Sequence, residues 1–231
     1  MTFKTFITAS LFGLVSVNSY SATVDISITN LTQGIYFTPL LISAHGDVHL
    51  FELGSTASPE LQAMAEGGDI SGLASAVSAL GGSSVENPAA GLLAPGSTAM
   101  TMSFDTGDQK YLSILAMLLP TNDGFVGLDA WSIPEQPGDY TLYLNAYDAG
   151  TEVNDEIVNG GGAPGTPGIP ANPGANGGMN GTGVTTIENN NSVHIHRGNI
   201  GDTDAAGGAS DVDARIHRWL NPVAKVIVTV K

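Results

Sequence analysis

Residues 98–119 read Thr98-Ala-Met-Thr-Met-Ser-Phe-Asp-Thr-Gly-Asp-Gln-Lys-Tyr-Leu-Ser-Ile-Leu-Ala-Met-Leu-Leu119. The first seven residues and the last nine are strand-like, and Asp105-Thr-Gly-Asp108 between them reads as a hairpin turn. The run 111–119 is apolar at nearly every position, as expected of a central strand covered on both faces. Outward from this pair, Val24–Leu31 alternates apolar with polar residues, the pattern of a half-buried strand. Further strands are expected at Tyr36–Ile42, with Pro39 marking an edge or bulge, and at Val48–Leu53, Thr141–Tyr147, Val193–His196 and Ala224–Val230. Ser58-Pro59-Glu60 opens a short helix that ends near Gly67-Gly68. Asp69 is placed to cap a second helix, with Ile70, Leu73, Val77 and Leu80 on one face and Gly81-Gly82 as its stop. Short strands separated by turn signals predict a mainly β protein, an antiparallel sandwich of about eight strands with two short helices.

Composition narrows the function. The chain has 231 residues, 22 acidic and 7 basic side chains, a formal charge of −15 and no cysteine. Phosphate binding needs clustered Lys and Arg, so this balance argues against nucleic acid and against docking on anionic lipid. The missing cysteines exclude disulfides, thiolate metal sites and thiol nucleophiles. Abundant carboxylates leave a hard cation such as calcium open.

Residues 1–22 read as a secretory signal peptide: Lys4, an apolar run from Phe6 to Val17, and small residues before cleavage after Ser21 or Ala22. Loss of Lys4 takes the charge to about −16. The remaining domain is expected over 23–231, in a secreted or cell-surface protein, with the periplasm as the alternative compartment. Within it, 159–183 is a Gly/Pro-rich insertion, read as a mobile surface loop unable to bury a core.

Two segments carry the candidate chemistry. They are Pro120-Thr-Asn-Asp-Gly-Phe-Val-Gly-Leu-Asp129 and Tyr147-Asp-Ala-Gly-Thr-Glu-Val-Asn-Asp-Glu156. Each starts where an apolar strand ends, and loops at one end of a sandwich cluster in space. Gly150 permits a reversal between Asp148 and Glu152. With Asp123 these acids could supply several of the 6–8 oxygens calcium takes, the alternative being unrelated solvated loop acids. Asp129 reads as a turn-capping acid rather than a ligand. Asp202, Asp204 and Asp213 echo a calcium loop but lack the oxygen donor at its fifth position, so an acidic solvated loop is preferred. His194, His196 and His217 read as surface or core hydrogen-bonding residues rather than zinc ligands, and Gly46-Asp47 between His45 and His49 reads as a turn that does not align that pair on a metal. No Gly-x-Ser-x-Gly elbow occurs.

These segments, together with Ser43-Ala-His-Gly46, Leu50-Phe-Glu-Leu-Gly54 and Pro222-Val-Ala-Lys-Val226, resemble the spondin N-terminal domain, in particular its bacterial secreted members. The resemblance implies a C2-like β-sandwich that binds calcium at one end, in a family of matrix and adhesion proteins not known as enzymes. It places the calcium carboxylates on Asp123, Asp148 and Glu152. Glu152 stands where animal members have Asp, and Gly124 where they usually have Trp. Their disulfides are absent, and the Gly/Pro-rich loop has no counterpart in them. The implied function is an exported, non-catalytic calcium-binding adhesion or recognition module whose partner is an extracellular protein or glycan. Two alternatives are a C2-like domain that binds membranes through calcium, with Phe125 as its apolar tip, and a hydrolase using Asp148 with Glu156 as acid and base.

Overall fold

The computed structural model describes residues 21–174, 176–188 and 191–231. The expected signal peptide falls almost wholly outside the described residues. The elements in chain order are β1 (Thr23–Asn30), β2 (Tyr36–Phe37), β3 (Leu41–His45), α1 (Pro59–Gly67), α2 (Ser71–Ala79) and β4 (Ser83–Glu86). They continue with β5 (Thr98–Asp105), β6 (Tyr111–Leu119), β7 (Gly124–Ser132), β8 (Gly138–Asp148), β9 (His194–Ile195) and β10 (Ala224–Val230). The main path of strands is β4-β3-β6-β7-β8-β10-β1-β5, with β2 beside β6 and β9 beside β8.

Strand β8 makes the sheet fold over on itself. Its residues Gly138 to Leu144 pair with β10, and Asn145 to Asp148 pair with β7. One layer is therefore β5-β1-β10 with the start of β8, and the other is the end of β8 with β7-β6-β3-β4. Between them lies a core of alternate residues: Val24, Ile26 and Ile28 of β1, Val226 and Val228 of β10, and Leu112, Ile114, Ala116 and Leu118 of β6. The fold class is thus mainly β and sandwich-like, as the alternation predicts.

The other face of β6 has its own cover. Leu115, Met117 and Leu119 pack with Leu61 and Met64 of α1, Leu73 of α2, and Ile169, Val193 and Val212 from loops. Strand β6 is therefore buried on both sides, which accounts for a run that is apolar at nearly every position. Helix α1 starts where expected: the Ser58 hydroxyl accepts the Leu61 N–H at 3.1 Å, and Gly68 ends it in the left-handed region at φ 73°. Asp69 accepts the Ser71 N–H at 2.9 Å at the start of α2. Leu80 is 63% exposed and does not share the buried face of Ile70, Leu73 and Val77.

Several expectations are corrected. The turn 105–108 does not close a hairpin: β5 pairs with β1, whereas β6 pairs with β3 and β7, so the connection crosses from one layer to the other. Residues 36–42 are not one strand, because β2 and β3 are separated around Pro39. Val48–Leu53 forms no strand; its alternation instead reflects Phe51 turning inward while the Leu50 N–H reaches the Asp129 carboxylate at 2.7 Å. Residues 124–129, read as part of a loop, belong to β7. The described residues of the Gly/Pro-rich stretch 159–183 form no helix or strand, but they do bury core: Ile169 is fully buried and its N–H bonds the Ile157 carbonyl at 2.8 Å. Among the described residues no helix is long and apolar enough to cross a membrane.

Candidate metal centre

Asp123 immediately precedes β7, and Asp148 is the last residue of β8. Gly124 and Asp148 are register partners, so both acids sit at the same end of two antiparallel neighbours. The approach to β7 is fixed by Thr121, whose hydroxyl donates to the Leu118 carbonyl at 2.6 Å and accepts the Gly124 N–H at 3.0 Å. No room is left at Gly124 for a larger residue: a Cβ there would meet the Thr121 hydroxyl at 2.7 Å.

After Asp148 the chain reverses at Gly150, which has φ 69° and donates its N–H to Asp148 Oδ1 at 2.8 Å. The reversal lays the next residues over Asp123. Its Oδ2 accepts the N–H of Thr151 at 2.7 Å, the N–H of Glu152 at 3.1 Å and the Thr151 hydroxyl at 3.2 Å. Glu152 Oε2 in turn accepts the Gly168 N–H at 3.0 Å and the Asn122 amide at 3.4 Å. Asp148 Oδ2 accepts the Asn154 amide at 2.7 Å. Asn154 also donates to Glu188, which holds Arg197 at 2.7 Å.

The three predicted acids are therefore gathered in one buried corner, 0%, 2% and 9% exposed for Asp123, Asp148 and Glu152. Among the described residues no lysine or arginine pairs with any of them; the one basic neighbour in ion-pair range is the His194 ring, 3.7 Å from Asp148. Asp123 Oδ1 and Glu152 Oε1 are buried with no hydrogen-bond partner among the described residues. Burial, with repulsion from Asp148, raises the Asp123 carboxyl to about 7 against the N–H donors of Thr151 and Glu152. Burial also raises Glu152 to about 8, with repulsion from Glu66 and Asp123 adding to it and the Gly168 and Asn122 donors opposing it.

This donor set fits a hard cation in its chemistry: carboxylate oxygens, carbonyls nearby and no soft ligand. As the side chains are turned, no three His, Asp or Glu groups among the described residues already converge to hold an ion. The reason is local. Both Asp148 oxygens and one oxygen each of Asp123 and Glu152 face N–H donors, so joint coordination of an ion would require rotation about side-chain bonds.

The remaining candidates have other partners. Asp129 accepts the Leu50 N–H at 2.7 Å and the His49 ring at 2.5 Å, the capping role read from sequence. Glu156 accepts the N–H groups of Ile200 at 2.5 Å and Gly201 at 2.8 Å and the Ser210 hydroxyl at 2.7 Å. Asp202 caps its own loop through the N–H groups of Asp204, Ala209 and Ser210, and Asp213 is forked by Arg215, which holds it at about 2. His45 is buried between Ser113 and the Gly46 carbonyl. His196 and His217 are buried and accept the N–H groups of Gly198 and Asp213 at Nδ1; burial lowers both, His196 to about 4. Phe125 is fully buried edge-on to Phe51, so it forms no exposed tip.

Sequence reasoning missed Asn122, Asn154, Gly168 and Glu188. Amides within the acid segments were a usable signal for the first two. Nothing local marks Gly168, which reaches Glu152 only because the Gly/Pro-rich stretch docks there. The family described as Spondin_N matches residues 29–156, a span that contains Asp123, Asp148 and Glu152 and ends at Glu156. No curated protein matches the chain.

Proposed function

Because the chain belongs to the Spondin_N family, we propose that it is an exported, non-catalytic recognition module in which calcium, held by Asp123, Asp148 and Glu152, orders the loops at one end of the sandwich. The observation that carries this reading is the pair of buried, unpartnered oxygens, Asp123 Oδ1 and Glu152 Oε1. A buried acceptor without a partner costs about 1–3 kcal/mol, and more when charged. A divalent ion offsets that cost and the repulsion among the three acids. Loops 120–123, 149–156 and 166–168 would then form one rigid rim offered to an extracellular protein or glycan.

Two observations favour this over the alternatives. Every Glu156 oxygen is already engaged by a donor, which leaves no free position for acid or base work with Asp148. Phe125 lies inside, so the membrane-binding reading lacks its insertion residue. Thermal melting in millimolar calcium and in chelator tests the proposal. Calcium should raise the midpoint, by about 2.7 kcal/mol of stability at a hundredfold excess over Kd, and Asp148→Ala should remove most of the rise. Superimposable curves for the unaltered protein would oppose it.

A further inference from the structure

All three arginines of this acidic chain fall within residues 197–218. Arg215 is spent on Asp213. The other two, Arg197 and Arg218, line a hollow of about 460 Å³ together with Asn199, Trp219 and Leu220. Arg218 is exposed and makes no hydrogen bond or ion pair among the described residues. Leu220 is 87% exposed. The Trp219 indole N–H is buried with no acceptor, while the indole ring rests on His196 at 5.0 Å. Asn199 is anchored through its amide to the Pro120 carbonyl at 2.9 Å.

The charged side chains that line it are donors: the free guanidinium of Arg218 and that of Arg197, which donates to Glu188 at 2.7 Å and to the Asn154 carbonyl at 3.4 Å. They stand beside an aromatic ring and an exposed aliphatic residue. A guanidinium fork matches a carboxylate, an indole takes the face of a ring-shaped group, and the volume suits a ligand of one or two rings. We propose that this hollow binds the uronic-acid units of an anionic polysaccharide, the carboxylate on Arg218 and the sugar ring against Trp219 and Leu220. The hollow shares no lining residue with Asp123, Asp148 and Glu152, although Arg197 reaches the carbonyl of Asn154, whose amide bonds Asp148. It supplies an acidic protein with a local cationic contact; at physiological salt the Debye length of about 8 Å keeps repulsion from more distant acids weak.

The chain has two tryptophans, Trp131 and Trp219. Trp131→Phe leaves Trp219 as the sole indole emitter, and the unaltered protein followed by calorimetry serves as a control for that variant. Trigalacturonate, added in sodium buffer without calcium, should change the emission saturably. Its fully methyl-esterified form should not. Arg218→Gln should weaken binding at least tenfold with no shift in thermal midpoint, because Arg218 has no partner to lose. No saturable response to trigalacturonate, equal binding of the ester, or an unchanged affinity in Arg218→Gln would overturn the proposal. Tighter binding of a triglutamate peptide than of trigalacturonate would overturn it in favour of an acidic-peptide site.

Discussion

The Asp123 carboxylate accepts the backbone N–H of Glu152 at 3.1 Å, although 29 residues separate them in sequence. Antiparallel pairing of β7 with β8 brings the two segments to one end of the sandwich, and the reversal at Gly150 completes the approach. One oxygen of Asp123 thereby organises the loop, while the other has no hydrogen-bond partner among the described residues. That division of labour within one side chain underlies the predictions that follow.

The first concerns pH in the absence of calcium. Asp123 is raised to about 7 and Glu152 to about 8, from ordinary values of 3.8 and 4.5. Between the ordinary and raised values the folded chain holds more protons than the unfolded one, so these groups make stability fall as pH rises. The buried imidazoles of His196 and His217 act oppositely, but only below about pH 7, where the unfolded chain protonates them. Urea midpoints in chelator should therefore decline from about pH 7 to 8.5, and Glu152→Gln should flatten that decline. A midpoint that climbs over this range would contradict the burial described for the two acids.

The second concerns the Gly/Pro-rich stretch. Ile169 is fully buried against the cluster that includes Leu115, Met117 and Leu61. Ile169→Ala should cost about 2–5 kcal/mol, the range for emptying a core position. Because the adjacent Gly168 N–H holds Glu152, the same change should also weaken calcium binding. A surface-like loss of a few tenths of a kcal/mol in urea titration would show that the stretch does not contribute to the core.

The third concerns Glu156. Its carboxylate faces three donors, so Glu156→Gln turns an amide N–H toward a group that needs an acceptor. The expected loss is about 1–3 kcal/mol in urea unfolding, with one calcium still bound per chain. Loss of calcium binding without loss of stability would instead assign Glu156 to the metal centre.

Much of this arrangement is legible in the sequence where local pattern and burial agree. The alternation of Val24, Ile26 and Ile28 gives β1 directly, and Ser58-Pro59 gives the start of α1. The run 111–119 announces a strand covered on both faces but not which segments cover it, since Leu61, Ile169 and Val212 are distant in sequence. Pairing is likewise non-local. Asp105-Thr-Gly makes a genuine turn, closed by the Gly107 N–H on Asp105 at 2.9 Å, yet the flanking strands enter different layers. Phe51 alternates like a strand residue although its backbone serves Asp129 instead of a ladder. At the candidate centre the acids stand out by spacing and resemblance, whereas Gly168 and Glu188 become partners only through loop docking that no local pattern encodes.

Calorimetric titration of the chelator-treated protein with calcium, for the unaltered chain and for Asp123→Asn, tests the central claim most directly. The expected result is one ion bound per unaltered chain, with affinity lowered at least a hundredfold in Asp123→Asn, which keeps the shape of the side chain but removes its charge. An unaltered chain that takes up no calcium, or one whose affinity is the same as that of Asp123→Asn, would contradict it.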